Sequence, residues 1–234
     1  MKTIGLLGGM SWESSIEYYR IINQEVRAAL GGVHSARIAM VSLDFAEIEA
    51  LQMKGDWGTA TEILIQSARK IEAAGADFVL ICTNTMHLMA EDVQAEISIP
   101  LLHIADATAE AIREAGLDKV GLLGTRFTME ENFYKGILEK KHRLNVLIPG
   151  EEERELIHDV IYNELVQGEI KDSSREVYQD VILGMIDKGA EGIVLGCTEI
   201  GMLVKGEDVS VPIFDTMEIH ARAAVRAALD DQAV

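Results

Sequence analysis

Positive charge is in short supply in this chain. Lysine and arginine number 21 against 39 aspartates and glutamates, for a formal net charge of −18. That balance argues against nucleic acid as a partner and against a basic membrane-binding surface. The excess acid is scattered, as on a solvated surface. Cysteine is scarcer still: Cys82 and Cys197 are the two in the chain. They fall in different halves, so a disulfide framework is not expected, which fits a reducing compartment. There is no run of about 18 apolar residues, the length a membrane span needs. The opening Met1-Lys2-Thr3-Ile4-Gly5-Leu6-Leu7 is too short an apolar run for a signal peptide and leads straight into a charged helix. A soluble, cytoplasmic protein is expected. No Cys/His spacing suggests a metal site, and neither His87, spaced like a helix-face residue, nor His103, at a strand end, is expected to bind one.

What is present is a chain 48% apolar, long enough for one large domain or two small ones with cores of their own. Its focus is Leu195-Gly196-Cys197-Thr198-Glu199-Ile200. The apolar run 192–195 ends at a glycine, a cysteine and the start of a helix, as a buried parallel strand ends. Ligands of open α/β folds bind at that edge. A thiol near a helix N-terminus there is expected to have its pKa lowered below about 8.5. The other reading of Cys197 is a small apolar residue filling a strand-to-helix corner.

The stretch occurs twice. Gly75-Ala76-Asp77-Phe78-Val79-Leu80-Ile81-Cys82-Thr83-Asn84-Thr85 lies over Gly189-Ala190-Glu191-Gly192-Ile193-Val194-Leu195-Gly196-Cys197-Thr198-Glu199 without a gap. Cys82 then faces Gly196, and Thr83 faces Cys197. Because successive strand residues point to opposite faces, Thr83 and not Cys82 is the counterpart of Cys197. Lys119-Val120-Gly121-Leu122-Leu123-Gly124 likewise repeats Thr3-Ile4-Gly5-Leu6-Leu7-Gly8, and Tyr134 repeats Tyr18.

Strands are expected at 3–7, 36–43, 78–82 and 100–104, and again at 119–124, 144–148, 192–196 and 211–214. Helices are expected over 12–30, 45–53, 59–73, 86–96, 107–115, 152–166, 173–188 and 219–229. This alternation predicts an α/β fold of two pseudo-symmetric, parallel, flavodoxin-like, four-stranded domains facing across a shared cleft. The first lobe is taken as 1–98 plus 210–234, the second as 99–209. Right-handed crossovers put the strand C-termini on one edge, so Thr83 and Cys197 are expected to look into that cleft. Two proton-handling groups facing each other suit inversion at a carbon, because no single side chain reaches both its faces.

Four motifs in this order resemble the aspartate/glutamate racemase superfamily, in its aspartate-racemase branch, over essentially the whole length. They are Leu7-Gly8-Gly9-Met10-Ser11, Thr83-Asn84-Thr85-Met86-His87, Leu123-Gly124-Thr125-Arg126-Phe127-Thr128-Met129 and Gly196-Cys197-Thr198-Glu199. The pattern is similar to the enterobacterial aspartate/glutamate-specific and broad-specificity amino-acid racemases. The glutamate branch usually carries Cys-Thr-His where this chain has Cys197-Thr198-Glu199, and Asp-Ser where it has Gly8-Gly9.

The resemblance implies a homodimeric, cofactor-free enzyme with one thiol on each side of the substrate Cα. Here the first motif, Cys-Asn-Thr in the family, reads Thr83-Asn84-Thr85, so a hydroxyl replaces the first thiol. The expected roles are Cys197 as thiolate base toward the L-enantiomer and Thr83 as proton donor. The resemblance implies substrate contacts from Asn84, Thr85 and Thr198 around the α-carboxylate and α-amine, from Thr125 and Thr128 in a Gly-Thr-x-x-Thr loop, and from Met10 and Ser11 after the first strand. Gln52, Lys171 and Arg126 are candidates for a side-chain carboxylate. Cap and turn roles are the alternative for each. Two other functions fit the same scaffold: an amino-acid-binding sensor, and a superfamily activity such as decarboxylation or diacid isomerisation. A serine-type hydrolase is disfavoured, since Gly196-Cys197-Thr198 lacks the G-x-S-x-G frame.

Overall fold

A computed structural model describes residues 1–230. The chain forms two compact units, one of residues 1–104 together with residues 220–230, the other Ala105–Ile219.

The first unit begins with β1 (Thr3–Gly8), α1 (Trp12–Leu30) and β2 (Arg37–Ser42). Ser11 caps α1, its hydroxyl accepting from Ser14 N–H at 3.4 Å. Tyr18, Ile22 and Val26, four residues apart, bury one face of that helix. Next come α2 (Phe45–Lys54), α3 (Trp57–Ala73), β3 (Phe78–Ile81), a 3-10 helix (Thr85–Met89) and α4 (Ala90–Ala95). The strands pair in parallel in the order β2-β1-β3. Leu7, Met10, Ile48, Leu64, Ile81 and Met86 share one buried apolar cluster.

The segment after Pro100 stops at a single parallel bridge, Val79 with Leu101, so the expected fourth strand of this sheet is rudimentary. Its ladder starts correctly, Val79 N–H donating to Pro100 O and Leu102 N–H to Val79 O, each at 2.9 Å. The groups that would continue a parallel ladder are Leu102 O and Ile104 N–H. They are engaged instead by His220 Nε2 at 2.8 Å and His87 Nε2 at 3.3 Å.

The chain passes into the second unit along α5 (Ile104–Glu114). There follow β4 (Lys119–Gly124), α6 (Arg126–Glu130), β5 (Asn145–Leu147), α7 (Glu151–Asn163), α8 (Asp172–Asp187), β6 (Gly192–Gly196), α9 (Ile200–Leu203) and β7 (Ile213–Asp215). The helix α10 (Thr216–Leu229) then leads back to the first unit. Four parallel strands run in the order β5-β4-β6-β7. Val120, Leu122, Ile193 and Val194 are buried in these strands, as are Ile157 of α7 and Tyr178, Ile182 and Met185 of α8.

Strand pairing corrects the expected boundaries. Residues 99–104 stay with the first unit because Leu101 bridges to Val79, and 210–219 stay with the second because Ile213 pairs with Ile193. Residues 231–234 of the expected first lobe lie outside the described residues. The expected helix over 86–96 divides into the 3-10 turn and the short α4.

Gly9 shows a backbone constraint at the β1–α1 turn. Its φ is +88°, and a Cβ there would strike Leu43 N and O. Gly55 also has positive φ, but nothing stands within 4 Å of its added Cβ. Gly55→Ala is expected to cost about 1–2 kcal/mol, the left-handed penalty alone. Gly9→Ala should cost about 3 kcal/mol or more, because overpacking against backbone adds to strain. Urea denaturation of the two variants checks the order.

Candidate active site

In the first unit Leu7 pairs with Ile81, and Cys82 N–H donates to Leu7 O at 2.9 Å. In the second, Leu123 pairs with Leu195 and Gly124 with Gly196. The repeat aligns Leu7 with Leu123 and Ile81 with Leu195, so both ladders share one register. Cys82 and Gly196 are therefore equivalent, and Thr83 and Cys197 are each the next residue out. Burial agrees: Cys82 is 0% exposed, Thr83 9% and Cys197 8%. Desolvation drives the Cys82 thiol far above the ordinary thiol pKa, leaving it an inert core residue.

At the edge of the first sheet, Thr83, Asn84 and Thr85 are all buried at the turn into the 3-10 helix. Gln52, on α2, reaches the same turn, its amide nitrogen 3.1 Å from Met86 Sδ. Met10 is packed into the apolar cluster. Ser11 is occupied as a helix cap, and its carbonyl accepts from the Ser15 hydroxyl at 2.7 Å.

At the edge of the second sheet, Cys197 Sγ lies 3.0 Å from Glu199 Oε2, and the Thr198 hydroxyl donates to the same oxygen at 2.8 Å. All three residues are buried. The expected lowering of the thiol pKa is corrected here. Burial, then the Glu199 carboxylate, pushes Cys197 well above the ordinary value, and Asp215 adds to the rise. The following helix, α9, has only four residues and cannot offset two carboxylates. Asp215 is itself raised by burial, though the N–H groups of Glu218 and Met217 hold its carboxylate. Tyr178 lies close enough for Cys197 and Glu164 to add to the rise that burial gives its phenol.

The remaining candidates also belong to the second unit, Thr125 and Thr128 buried and Arg126 and Lys171 toward solvent. Thr125 caps α6, its Oγ1 accepting from Thr128 N–H at 3.3 Å and lying 3.2 Å from Thr128 Oγ1. The Arg126 side chain is largely exposed, with Glu130 3.9 Å away. Lys171 is half-exposed and pairs with Glu164 at 3.4 Å and Glu169 at 3.1 Å.

The family profile described as Asp/Glu/hydantoin racemase matches residues 7–224. The chain belongs to this family. As a member it is an amino-acid racemase, an isomerase. A crystal structure from Yersinia pestis, of a protein provisionally named an Asp/Glu racemase, is 53% identical. It covers 98% of this chain and 100% of its own, with a TM-score of 0.92. An aspartate racemase homologue from Pyrococcus horikoshii is 36% identical over the same shares, with a TM-score of 0.85. RacX of Bacillus subtilis, a broad-specificity amino-acid racemase, is 25% identical over 69% of each chain.

Reading the sequence missed two features of this racemase. In the sequence Glu199 reads only as the start of a helix, although its place two residues after Cys197 at a tight strand-to-helix turn puts both side chains at one edge. Asp215 is hidden in the sequence because its strand reads as part of the other lobe. Among the described residues, no group of three or more His, Cys, Asp or Glu is arranged to hold a metal ion, and no helix is long and apolar enough to cross a membrane.

The raised thiol makes a prediction that does not depend on activity. In a Cys82→Ala background, thiolate absorbance titrates Cys197 alone. Its inflection should lie above about 8.5, the free-thiol value. Glu199→Gln removes a negative charge that disfavours the thiolate, so the inflection should move to lower pH. An unchanged or higher inflection would show that Glu199 does not set the thiol.

Proposed function

We propose that this racemase interconverts the enantiomers of an acidic amino acid, L-aspartate or L-glutamate, without a cofactor. The observation that carries the reading is the common ladder register, which makes Thr83 and Cys197 equivalent, nearly equally exposed strand-end residues. The relatives named for aspartate, for Asp/Glu and for broad specificity support the substrate class.

In the proposed cycle Glu199 takes the Cys197 proton, to which it is already hydrogen-bonded. The thiolate then removes the α-proton of the L-enantiomer, giving a carbanion and a neutral thiol. The Thr83 hydroxyl protonates the opposite face. The alkoxide left behind is a strong base and regains its proton from solvent, and Glu199 releases to solvent the proton it took from Cys197, so that the site is reset. Asn84, Thr85 and Thr198 receive the α-carboxylate and α-amine. Gln52, Arg126 and Lys171 compete for the side-chain carboxylate. Met10, Ser11, Thr125 and Thr128 shape the turns beneath. The working form is taken as a cytoplasmic homodimer, which sedimentation of the pure protein tests.

Enantiomers have equal free energies in water, so kcat/KM must be equal in the two directions. A bias from the slowly reset hydroxyl therefore appears as offsetting changes in kcat and KM.

Chiral chromatography and NMR in heavy water separate the two half-reactions. Cys197→Ala and Cys197→Ser should remove both racemisation and α-proton exchange. Thr83→Ala should stop formation of the D-enantiomer while exchange into the L-substrate, with retention, continues through Cys197. Thr83→Cys should speed turnover of the D-enantiomer by supplying a second thiol. Cys82→Ala should cost about 1–2 kcal/mol of stability and leave activity largely intact. If Cys82→Ala abolishes activity and Thr83→Ala does not, Cys82 and Cys197 are the pair. Chelators and pyridoxal-phosphate scavengers should leave the rate unchanged; loss of activity with either overturns the cofactor-free reading.

A further inference from the structure

The turn that carries Thr83 is held by a side chain the proposed cycle does not use. His87 is buried, with Nδ1 2.8 Å from the Thr83 carbonyl oxygen and Nε2 accepting from Ile104 N–H at 3.3 Å. A carbonyl oxygen only accepts and a main-chain N–H only donates. The two bonds therefore select one neutral tautomer, with its proton on Nδ1. Burial, with His103 and His220 beside it, holds the ring well below the usual histidine pKa and so keeps it neutral.

The ring is also fixed from the side. Its centroid lies 4.5 Å from that of His103 and 5.8 Å from that of His220. His220 donates from Nε2 to Leu102 O at 2.8 Å, so its Nδ1, 2.9 Å from the Tyr18 oxygen, accepts from the phenol. Burial pulls the pKa of His220 down to about 3, so it too is neutral. This set spans α1, the Thr83 turn, the segment after Pro100 and α10. The position matching His87 in the second unit is Gly201, where a Cβ would strike the Asp215 carboxylate. The imidazole is thus particular to the hydroxyl-bearing edge.

We propose that His87 is a positioning residue for Thr83: its Nδ1–H holds the Thr83 carbonyl and thereby aims the hydroxyl leaving the end of β3. The inference rests on the reading of Thr83 as proton donor. Threonine is β-branched and stiff about χ1, so fixing its peptide plane restricts where Oγ1 points. Proton delivery to one face of a carbon tolerates little misplacement.

Asn and Gln separate the two histidine bonds. Asn puts an amide nitrogen where Nδ1 stood and keeps the donor to Thr83 O. Gln puts an amide oxygen where Nε2 stood and keeps only the acceptor for Ile104 N–H. The test follows α-proton exchange and D-enantiomer formation in heavy water, on L-aspartate or L-glutamate, whichever the wild type turns over faster. His87→Asn should stay within about threefold of wild type in both, whereas His87→Gln should keep exchange but lose about tenfold or more in D-enantiomer formation. Thermal melting of each variant accompanies the rates. If both variants lose both half-reactions in step with stability, His87 is structural and the proposal fails. It also fails if His87→Gln forms D-enantiomer at the wild-type rate, or if His87→Asn falls as far as His87→Gln. Thr83→Ala in the same assay tells the failures apart. If it still forms D-enantiomer, the proton-donor reading falls and takes the positioning role with it. If it does not, while His87→Gln does, only the positioning role falls.

Discussion

Parallel pairing of β3 with β1 and of β6 with β4 is the constraint on which the chemistry of both edges depends. A strand alternates its side chains, so one step along it exchanges core for edge. Leu7 against Ile81 makes Cys82 an interior residue and Thr83 the first one out. Leu123 against Leu195 does the same for Gly196 and Cys197. Two thiols in one sequence therefore have different chemistry. Cys82 is buried with desolvation alone acting on it, while Cys197 has a carboxylate within hydrogen-bonding distance. A slip of one residue in either ladder would exchange those environments.

Each edge has its own electrostatics. Around Cys197 are the carboxylates of Glu199 and Asp215; around the Thr83 turn are neutral histidines. In the proposed cycle the group that must lose a proton sits beside an acceptor, and the group that must give one sits on a turn braced by a donor. The raised thiol has a consequence for when the base forms. A resting thiol that is protonated at neutral pH does not attack adventitious electrophiles, because the thiolate is the nucleophile. An arriving α-ammonium group brings positive charge near Sγ and favours the thiolate by the same Coulomb term that Glu199 uses against it. The base would then be generated with substrate present rather than before it.

The strands of the fold were legible because they repeat. Gly75 to Thr85 aligns with Gly189 to Glu199 residue by residue, and that alignment alone separates Thr83 from Cys82. The fourth strands were harder to assign. Pro100-Leu101 and Pro212-Ile213 look alike, and nothing local tells which sheet each joins; the pairings Val79–Leu101 and Ile193–Ile213 decide it. The shortness of the first comes from histidines far along the chain. His220 and His87 engage the carbonyl and amide that would otherwise extend the ladder, and no sequence window contains all the partners. The sign of the Cys197 shift is hidden from the sequence for a related reason. A strand end followed by a helix suggests a favourable dipole, but α9 is one turn long and Glu199 folds back onto the thiol.

The glycines explain why the second edge takes its thiol from position 197 and no other. A Cβ at Gly196 would stand 2.8 Å from Leu123 O, 2.9 Å from Leu122 Cδ1 and 3.0 Å from Thr128 Cγ2. One at Gly124 would stand 2.9 Å from Gly196 O. Backbone and a capped turn cannot yield as a flexible side-chain tip can, so the inner position of this unit is closed to any side chain. The first unit is not closed in that way, and its inner position is filled by a cysteine. The inner thiol is thus a packing solution available to one unit, and the outer position is the one that the proposed cycle uses in both units. Thr83 and Cys197 occupy that outer position, and the Thr125–Thr128 turn that closes Gly196 leaves Cys197 as the residue the second sheet can present at its edge.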